Sequence, residues 1–418
     1  MLVPLFFVAF YAFSSGDFGR RIGGTITRLI AIPIVLLFAV ISWWVTRWRI
    51  EDGALRIETG LLRRSSLRFP LTQIQAIDTV RPALARILGL AELRLRMGGS
   101  TGSLGRLTYL SLAQAETVRG QLLALAHGIE VNTPAPPEQV LLSVRTDRLI
   151  VSILLSRLGV VTGFLLVGLV LTYSVAPGAA LAVIGGSGTV GLGLLAAFWR
   201  SFNGDYRLTV AEAPDGLRLR SGLLDTAAET IPRGRVQAIR MIEPLLWRPF
   251  GWCRLEVDVA GRQRAGRENR SQSRDLRAVL PVGSHEDAAW LLGRLLPDAP
   301  TDRIPAPTRA RYKAPLRYHY LAWGRTDTCA VATSGRVTRI TSWVPLTKVQ
   351  SLRRVQGPLQ RRLGLASLHL DTAGRRVGAS LLDRDVDEAD RVLAELTELS
   401  RAARRAGPGP SPGLRASG

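Results

Sequence analysis

The side chains that most often carry chemistry are few here and badly placed for it. Four histidines occur, His127, His285, His319 and His369, with two cysteines, Cys253 and Cys329. No HExxH is present and no histidine stands at metal spacing from a cysteine, so a zinc centre is not expected. The cysteines form no CxxC pair, which argues against a zinc ribbon or a disulfide framework. His369 alternates with Leu368 and Leu370, placing it on the polar face of a strand. The acidic run Asp383, Asp385, Asp387, Glu388 and Asp390 has the carboxylates for a cation. It lacks the Gly and terminal Glu of a calcium loop, so a solvated helix start is expected. Gly98-Gly-Ser-Thr-Gly102 reads as a hairpin loop before it reads as a phosphate cradle. No catalytic residue, cofactor or metal follows, and the chain is expected not to be an enzyme.

Charge says more. The 418 residues carry 55 Lys+Arg against 33 Asp+Glu, a net +22, yet 47% are hydrophobic and the mean hydropathy is +0.15. This excludes a disordered or collagen-like chain. It points to nucleic acid, or to a membrane protein with a cationic cytoplasmic face. Lysine occurs only at Lys313 and Lys348, so the basic charge is almost all Arg.

Residues 158–199 contain no charged residue and no histidine. About 20 apolar residues cross a bilayer as a helix, so this stretch predicts two spans joined at Ala176-Pro177-Gly178. Gly185, Gly186, Gly188, Gly191 and Gly193 suit close helix packing, and no Gly-Lys-Ser/Thr follows to make a P-loop. Residues 29–46 predict a further span, ending in Trp43-Trp44. Residues 2–13 are apolar but short, and they predict a short first span. Arg157 and Arg200 flank the uncharged loop at Pro177, which puts both flanks in the cytoplasm. Arg20, Arg21 and Arg28 run against that bias if residues 2–13 cross.

Outside these stretches one pattern occurs three times without a gap. Around Pro70, Pro232 and Pro345 stand a Gly at −10 (Gly60, Gly222, Gly335) and a Gln at +5 (Gln75, Gln237, Gln350). An Arg follows at +16 (Arg86, Arg248, Arg361) and a second Gly at +19 (Gly89, Gly251, Gly364). Period-2 runs such as Ala54-Leu-Arg-Ile-Glu, Leu93-Arg-Leu-Arg-Met and Leu255-Glu-Val-Asp-Val predict strands buried on one face. Apolar-periodic helices are predicted near 113–126, 286–296 and 387–400. Several strands and one helix per copy predict a bent sheet or open barrel plugged by that helix.

The pattern P-x-x-x-[IV]-Q-[AS]-[IL] … P-x-L-x-R-x-x-G-[LW] resembles the bacterial pleckstrin-homology (PH) domain family. More narrowly, it resembles YdbS/YdbT-like membrane proteins, in which PH-like modules alternate with membrane hairpins. The resemblance covers about 47–128, 205–297 and 315–401. It implies an α+β fold of three PH-like β-barrel modules, each closed by a C-terminal helix, on a transmembrane anchor of about four spans. It implies little about biochemistry. The third copy departs in having Gly357 where the others have Pro.

The expected organisation is an N-terminal membrane segment (1–46), a first module (47–128), a linker (129–148) and a transmembrane hairpin (149–199). A second module (200–297), a Pro-rich linker (298–314), a third module (315–401) and a disordered tail (402–418) follow. The modules carry net charges of +6 (47–127), +3 (205–296) and +5 (317–401). Anionic headgroups attract such patches. Candidate lipid or partner contacts are therefore Arg86, Arg248 and Arg361 of the repeat, with Arg262, Arg264, Arg267 and Arg270 in the loop 261–277. The repeated Arg also has a purely structural account, as a cap or pair within its own module. A nucleic-acid partner is not expected, because no reading motif accompanies the charge. The expectation is a multi-pass protein of the bacterial inner membrane with cytoplasmic modules that bind lipid, protein partners or each other. The alternative is a membrane-embedded component of an envelope-stress, antimicrobial-tolerance or transport assembly.

Overall fold

The computed structural model describes residues 47–51, 54–59, 65–70, 74–97, 105–127, 139–213, 216–232, 234–259, 277–373 and 377–405. The chain is a mixed α+β protein built from antiparallel sheets. The first repeat supplies β1 (Arg47–Glu51), β2 (Ala54–Thr59), β3 (Ser65–Pro70), β4 (Ile74–Arg81), β5 (Leu90–Met97) and β6 (Gly105–Ser111). Helix α1 (Leu112–His127) follows and buries Ala115, Val118 and Leu122 against Leu93, Leu95 and Leu107.

The second repeat begins with β7 (Gln139–Ser143). Three helices come next: α2 (Thr146–Leu154), α3 (Arg157–Val175) and α4 (Pro177–Asp205). Then come β8 (Thr209–Ala213), β9 (Gly216–Ser221), β10 (Thr226–Pro232), β11 (Val236–Pro244), β12 (Trp252–Val259) and β13 (Arg277–Ser284). Helix α5 (His285–Leu295) starts at a reciprocal capping box of Ser284 and Asp287, which satisfies its first donors. The third repeat supplies β14 (Ile304–Pro305), β15 (Ala322–Arg325), β16 (Cys329–Ser334), β17 (Thr338–Pro345), β18 (Val349–Val355), β19 (Leu365–Thr372) and β20 (Ala379–Asp385). It closes with α6 (Val386–Arg405), whose Ala389, Val392 and Leu396 face the core.

The strand order is the main surprise. The four sheets run β1-β2-β3, then β6-β5-β4-β10-β9-β8-β7, then β13-β12-β11-β17-β16-β15-β14, then β18-β19-β20. Each repeat is thus split between two sheets, and the second half of one continues into the first half of the next. Periodicity predicts the strands, but it carries nothing about which repeat supplies a strand's neighbour.

Three expected boundaries shift. The linker 129–148 contains β7, so the helical hairpin is inserted within the second module's sheet rather than before it. The linker 298–314 contains β14, which pairs with β15 despite its prolines; an edge strand tolerates Pro because one side needs no donor. The tail expected at 402–418 begins inside α6, which continues to Arg405; residues 406–418 lie outside the described set.

The chain turns at Ala176, with Pro177 opening α4 where a missing N–H costs nothing. Among the described residues one helix, α3, is long and apolar enough to cross a membrane. The segment 1–46, where two further spans were expected, is outside the described set. Helix α2 buries Leu149 and Ile153 in the second module's core and leaves Ile150, Val151 and Leu154 exposed.

Candidate functional site

The repeated residues converge on the junctions between modules. After β4 and β11 the chain makes a short helical segment, Ala83–Ile87 and Leu245–Phe250 respectively. Gly89 and Gly251 follow at φ of +67° and +64°, and Gly364 takes +64° in the third copy. That left-handed conformation is what glycine permits cheaply, and it explains the glycine at +19.

The turn aims the repeated Arg out of its own module. Arg86 Nη1 donates to the Leu223 carbonyl at 2.5 Å, and Arg248 Nη2 donates to the Arg336 carbonyl at 2.6 Å. Leu223 and Arg336 are equivalent, each one residue past the repeated Gly222 or Gly335. Those glycines sit at φ of +118° and +96°, where a Cβ would meet the Asp225 or Thr338 carbonyl at about 2 Å. So the repeat encodes both halves of a latch: an Arg on one module and a tight glycine turn on the next. The sequence admits lipid or partner contact, or a cap or pair within the Arg's own module; Arg86 and Arg248 bind the neighbouring module of the same chain. Arg361 occupies the same place in the third copy. Its guanidinium is exposed and makes no hydrogen bond or ion pair to the described residues.

The strand pairing beside each latch keeps one register. Arg81, Val80 and Thr79 stand opposite Thr226, Ala227 and Ala228. Their equivalents Glu243, Ile242 and Met241 stand opposite Arg339, Ile340 and Thr341, which are equivalent to those three partners. The repeated Gln marks a break in the ladder within each module: the register slips between Ile74 and Ala76, between Val236 and Ala238, and between Val349 and Ser351. A Gln at a bulge was not foreseen, since a bulge leaves no alternation for periodicity to detect.

The second junction is reinforced. Asp258 Oδ2 accepts the Val377 N–H at 3.2 Å, and Trp343 and Val331 share a core with Ile239, Leu255 and Val257. The helical hairpin is fixed to the second module as well. Leu224 N–H donates to Asn203 Oδ1 at 2.7 Å, and Trp247 Nε1 donates to the Ser152 carbonyl at 3.2 Å. Asp205, at the end of α4, lies 3.6 Å from Arg254, which also binds Glu256 at 2.8 Å. Burial pushes the Glu256 carboxyl up, but Arg254 and Arg240 outweigh it and hold the group below its usual range.

The remaining candidates are accounted for locally. Asp383 departs from the solvated helix start, being fully buried and receiving Gln360 Nε2 at 2.6 Å as well as Lys313. Asp385 pairs with Arg309 at 2.6 Å, Glu388 with Arg384 at 2.5 Å and Asp390 with Arg354 at 2.9 Å. Among the described residues no group of His, Cys, Asp and Glu could hold a metal ion. His369 Nδ1 lies 2.9 Å from Ser380 Oγ, half-buried rather than solvated. Cys253 and Cys329 are buried, and burial pushes both thiols up to about 12. A groove of about 720 Å³ in the third module is lined by Trp323, Arg325, Glu388, Arg391 and Glu395, and Arg325–Glu395 and Trp323–Glu388 pair across it. Arg262, Arg264, Arg267 and Arg270 lie outside the described residues.

Antiparallel strands split three and three in the first repeat and four and three in the second and third, each set closed by a helix, define a class of small β modules of the PH type. The family model for the bacterial PH domain matches residues 3–126, 153–296 and 307–400. This chain belongs to the bacterial PH domain family. The second match encloses the helical hairpin and begins after β7. No curated protein matches the chain.

Proposed function

We propose that this protein is a membrane-anchored, non-enzymatic scaffold at the cytoplasmic face of the bacterial inner membrane. Its three PH-like modules contact anionic lipid or protein partners. The observation that carries the reading is α3: a 19-residue apolar helix with no buried residue, continued by exposed Val190, Leu192 and Leu195 on α4. Phe164, Leu165, Leu166, Val167, Val170 and Leu171 are all exposed along it. Water does not favour a bare apolar helix of that length, whereas lipid does. Arg157 and Arg200 bracket the hairpin, in keeping with cytoplasmic modules and with the span arrangement of YdbS/YdbT-like membrane proteins. The contacts at Asn203, Asp205 and Ser152 make the hairpin continuous with the second module, so the sheets would be held at a fixed attitude to the bilayer.

The test is alkaline carbonate extraction of membranes from cells producing the full chain. Retention in the pellet is expected; release into the supernatant overturns the anchor. Headgroup contact is read separately, by energy transfer from a labelled third module to vesicle lipid after reconstitution. Transfer should be higher with anionic than with neutral lipid and fall with salt.

A further inference from the structure

Both inner junctions are built from the same two edges, and among the described residues the first and third modules each leave one such edge unpaired. The leading edge is the strand after the repeated Pro: β4 in the first module, β11 in the second, β18 in the third. The receiving edge is the strand before that Pro: β3, β10 and β17. β4 pairs with β10 and β11 with β17, in equivalent register. β18 has β19 on one side and no strand on the other; β3 has β2 on one side and no strand on the other, among the described residues. Open edges with unpaired N–H and C=O groups recruit another strand.

The burial of the leading edge shows what is missing. In β11, Gln237 is buried, and the strand stays buried or half-buried through Pro244. In β18, Gln350, Ser351, Arg353, Arg354 and Val355 are all exposed. Arg361 stands where Arg86 and Arg248 bind the next module, with no bonding partner among the described residues.

We propose that β18 of one copy pairs with β3 of a second copy, so that the chain assembles head to tail by the junction it already uses twice internally. The inner register carried to the ends sets Val355 opposite Ser65, Arg354 opposite Ser66, Arg353 opposite Leu67 and Leu352 opposite Arg68. No charge falls opposite a like charge, an arrangement that would disfavour pairing. Such a contact is heterologous, using two different surfaces, so it extends into a ring or an open row rather than stopping at a symmetric dimer. This deepens the scaffold reading by naming a second copy as the partner, but the strand pairing does not need the membrane.

The test uses full-length protein in detergent with single cysteines introduced at exposed positions, Ser66→Cys in one preparation and Arg354→Cys in another. Directly paired residues of antiparallel strands lie about 4.5–5.5 Å apart at Cα, within disulfide reach. The native Cys253 and Cys329 are buried and stay silent. Mixing the two preparations under mild oxidant should give a disulfide-linked dimer. Arg353→Cys with Ser66→Cys serves as the control, because neighbouring residues point to opposite faces of a strand. It should link at least ten-fold less. Adding Arg361→Glu to the Arg354→Cys chain should reduce the linked fraction several-fold. No dimer, or equal linking by the control, overturns the proposal; an unchanged yield with Arg361→Glu overturns its equivalence to the inner junctions. Protein that leaves the membrane in carbonate but links in register loses the anchor and keeps the assembly, and the reverse result does the opposite.

Discussion

β11 and β18 are two copies of one strand, aligned residue for residue from Pro232 and Pro345, yet they meet different surroundings. β11 is covered by β17 over six paired positions, Ile239 to Pro244. β18 bears its apolar side on its own module and is otherwise bare. Equivalent residues therefore take different partners. Asp258 is buried and holds the third module's Val377 N–H, whereas its equivalent Asp371 is only half-buried and pairs with Arg353 and Ser351 of its own hairpin. Arg240 stands opposite Glu256; Arg353 stands opposite His369. Burial in this protein is conferred by the neighbouring module, and the repeat specifies only the readiness to accept it.

The most forceful way to make β11 resemble β18 is to strip its cover. Trp343→Ala removes a buried indole that packs across the junction from β17, at a cost of about 3–5 kcal/mol for a core aromatic. Thermal unfolding should shift to lower temperature, and hydrogen exchange should rise in both β11 and β17, because the core spans both modules. Exchange confined to β17 would refute the shared core.

Asp258→Ala and Asp371→Ala sharpen the same contrast at smaller scale. The first leaves a buried N–H without its acceptor, worth about 1–3 kcal/mol. The second removes an exposed pair, worth under about 1 kcal/mol. Arg248→Ala should cost about 1 kcal/mol through its lost carbonyl contact, and Arg361→Ala should leave the melting of dilute protein unchanged. Equal shifts for the two members of either pair, by denaturant titration, would mean that the junction does not distinguish them.

Much of this fold was legible. The three repeats, their strands and their closing helices follow from period-2 and period-3.6 patterns, and the hairpin follows from one uncharged stretch. The latch was half legible: recurrence singled out Arg86, Arg248, Arg361 and the glycines at −10. Their contacts were not, because the Arg and its carbonyl belong to different repeats about 90–140 residues apart. Periodicity reports a strand's faces, and the edges of β4 and β11 are decided by a partner elsewhere in the chain. The short strands β7 and β14 were missed for a related reason. Five residues following a run of prolines, or Ile304–Pro305 alone, carry too little alternation to register, and each is stabilised by the strand beside it.

The smallest expected effect lies in the outer module. His369 has its pKa lowered from the ordinary 6.5 by burial and by the Arg353 guanidinium opposite, with Asp371 acting the other way. The folded state therefore binds this proton less readily than the unfolded chain. In the window between the lowered value and 6.5 the unfolded state holds more protons, so stability rises with pH there and is lost as pH falls below 6.5. Protonation sets imidazolium opposite Arg353, where the inner strand has Glu256 opposite Arg240. His369→Gln should flatten this part of the pH–stability curve, and His369→Glu should flatten it while restoring the inner strand's charge pair. Melting temperatures at pH 7.5 and pH 5.5 test this directly. A wild-type decrease that persists in His369→Gln would assign the proton to another group, and the contrast between β11 and β18 would then rest on cover alone.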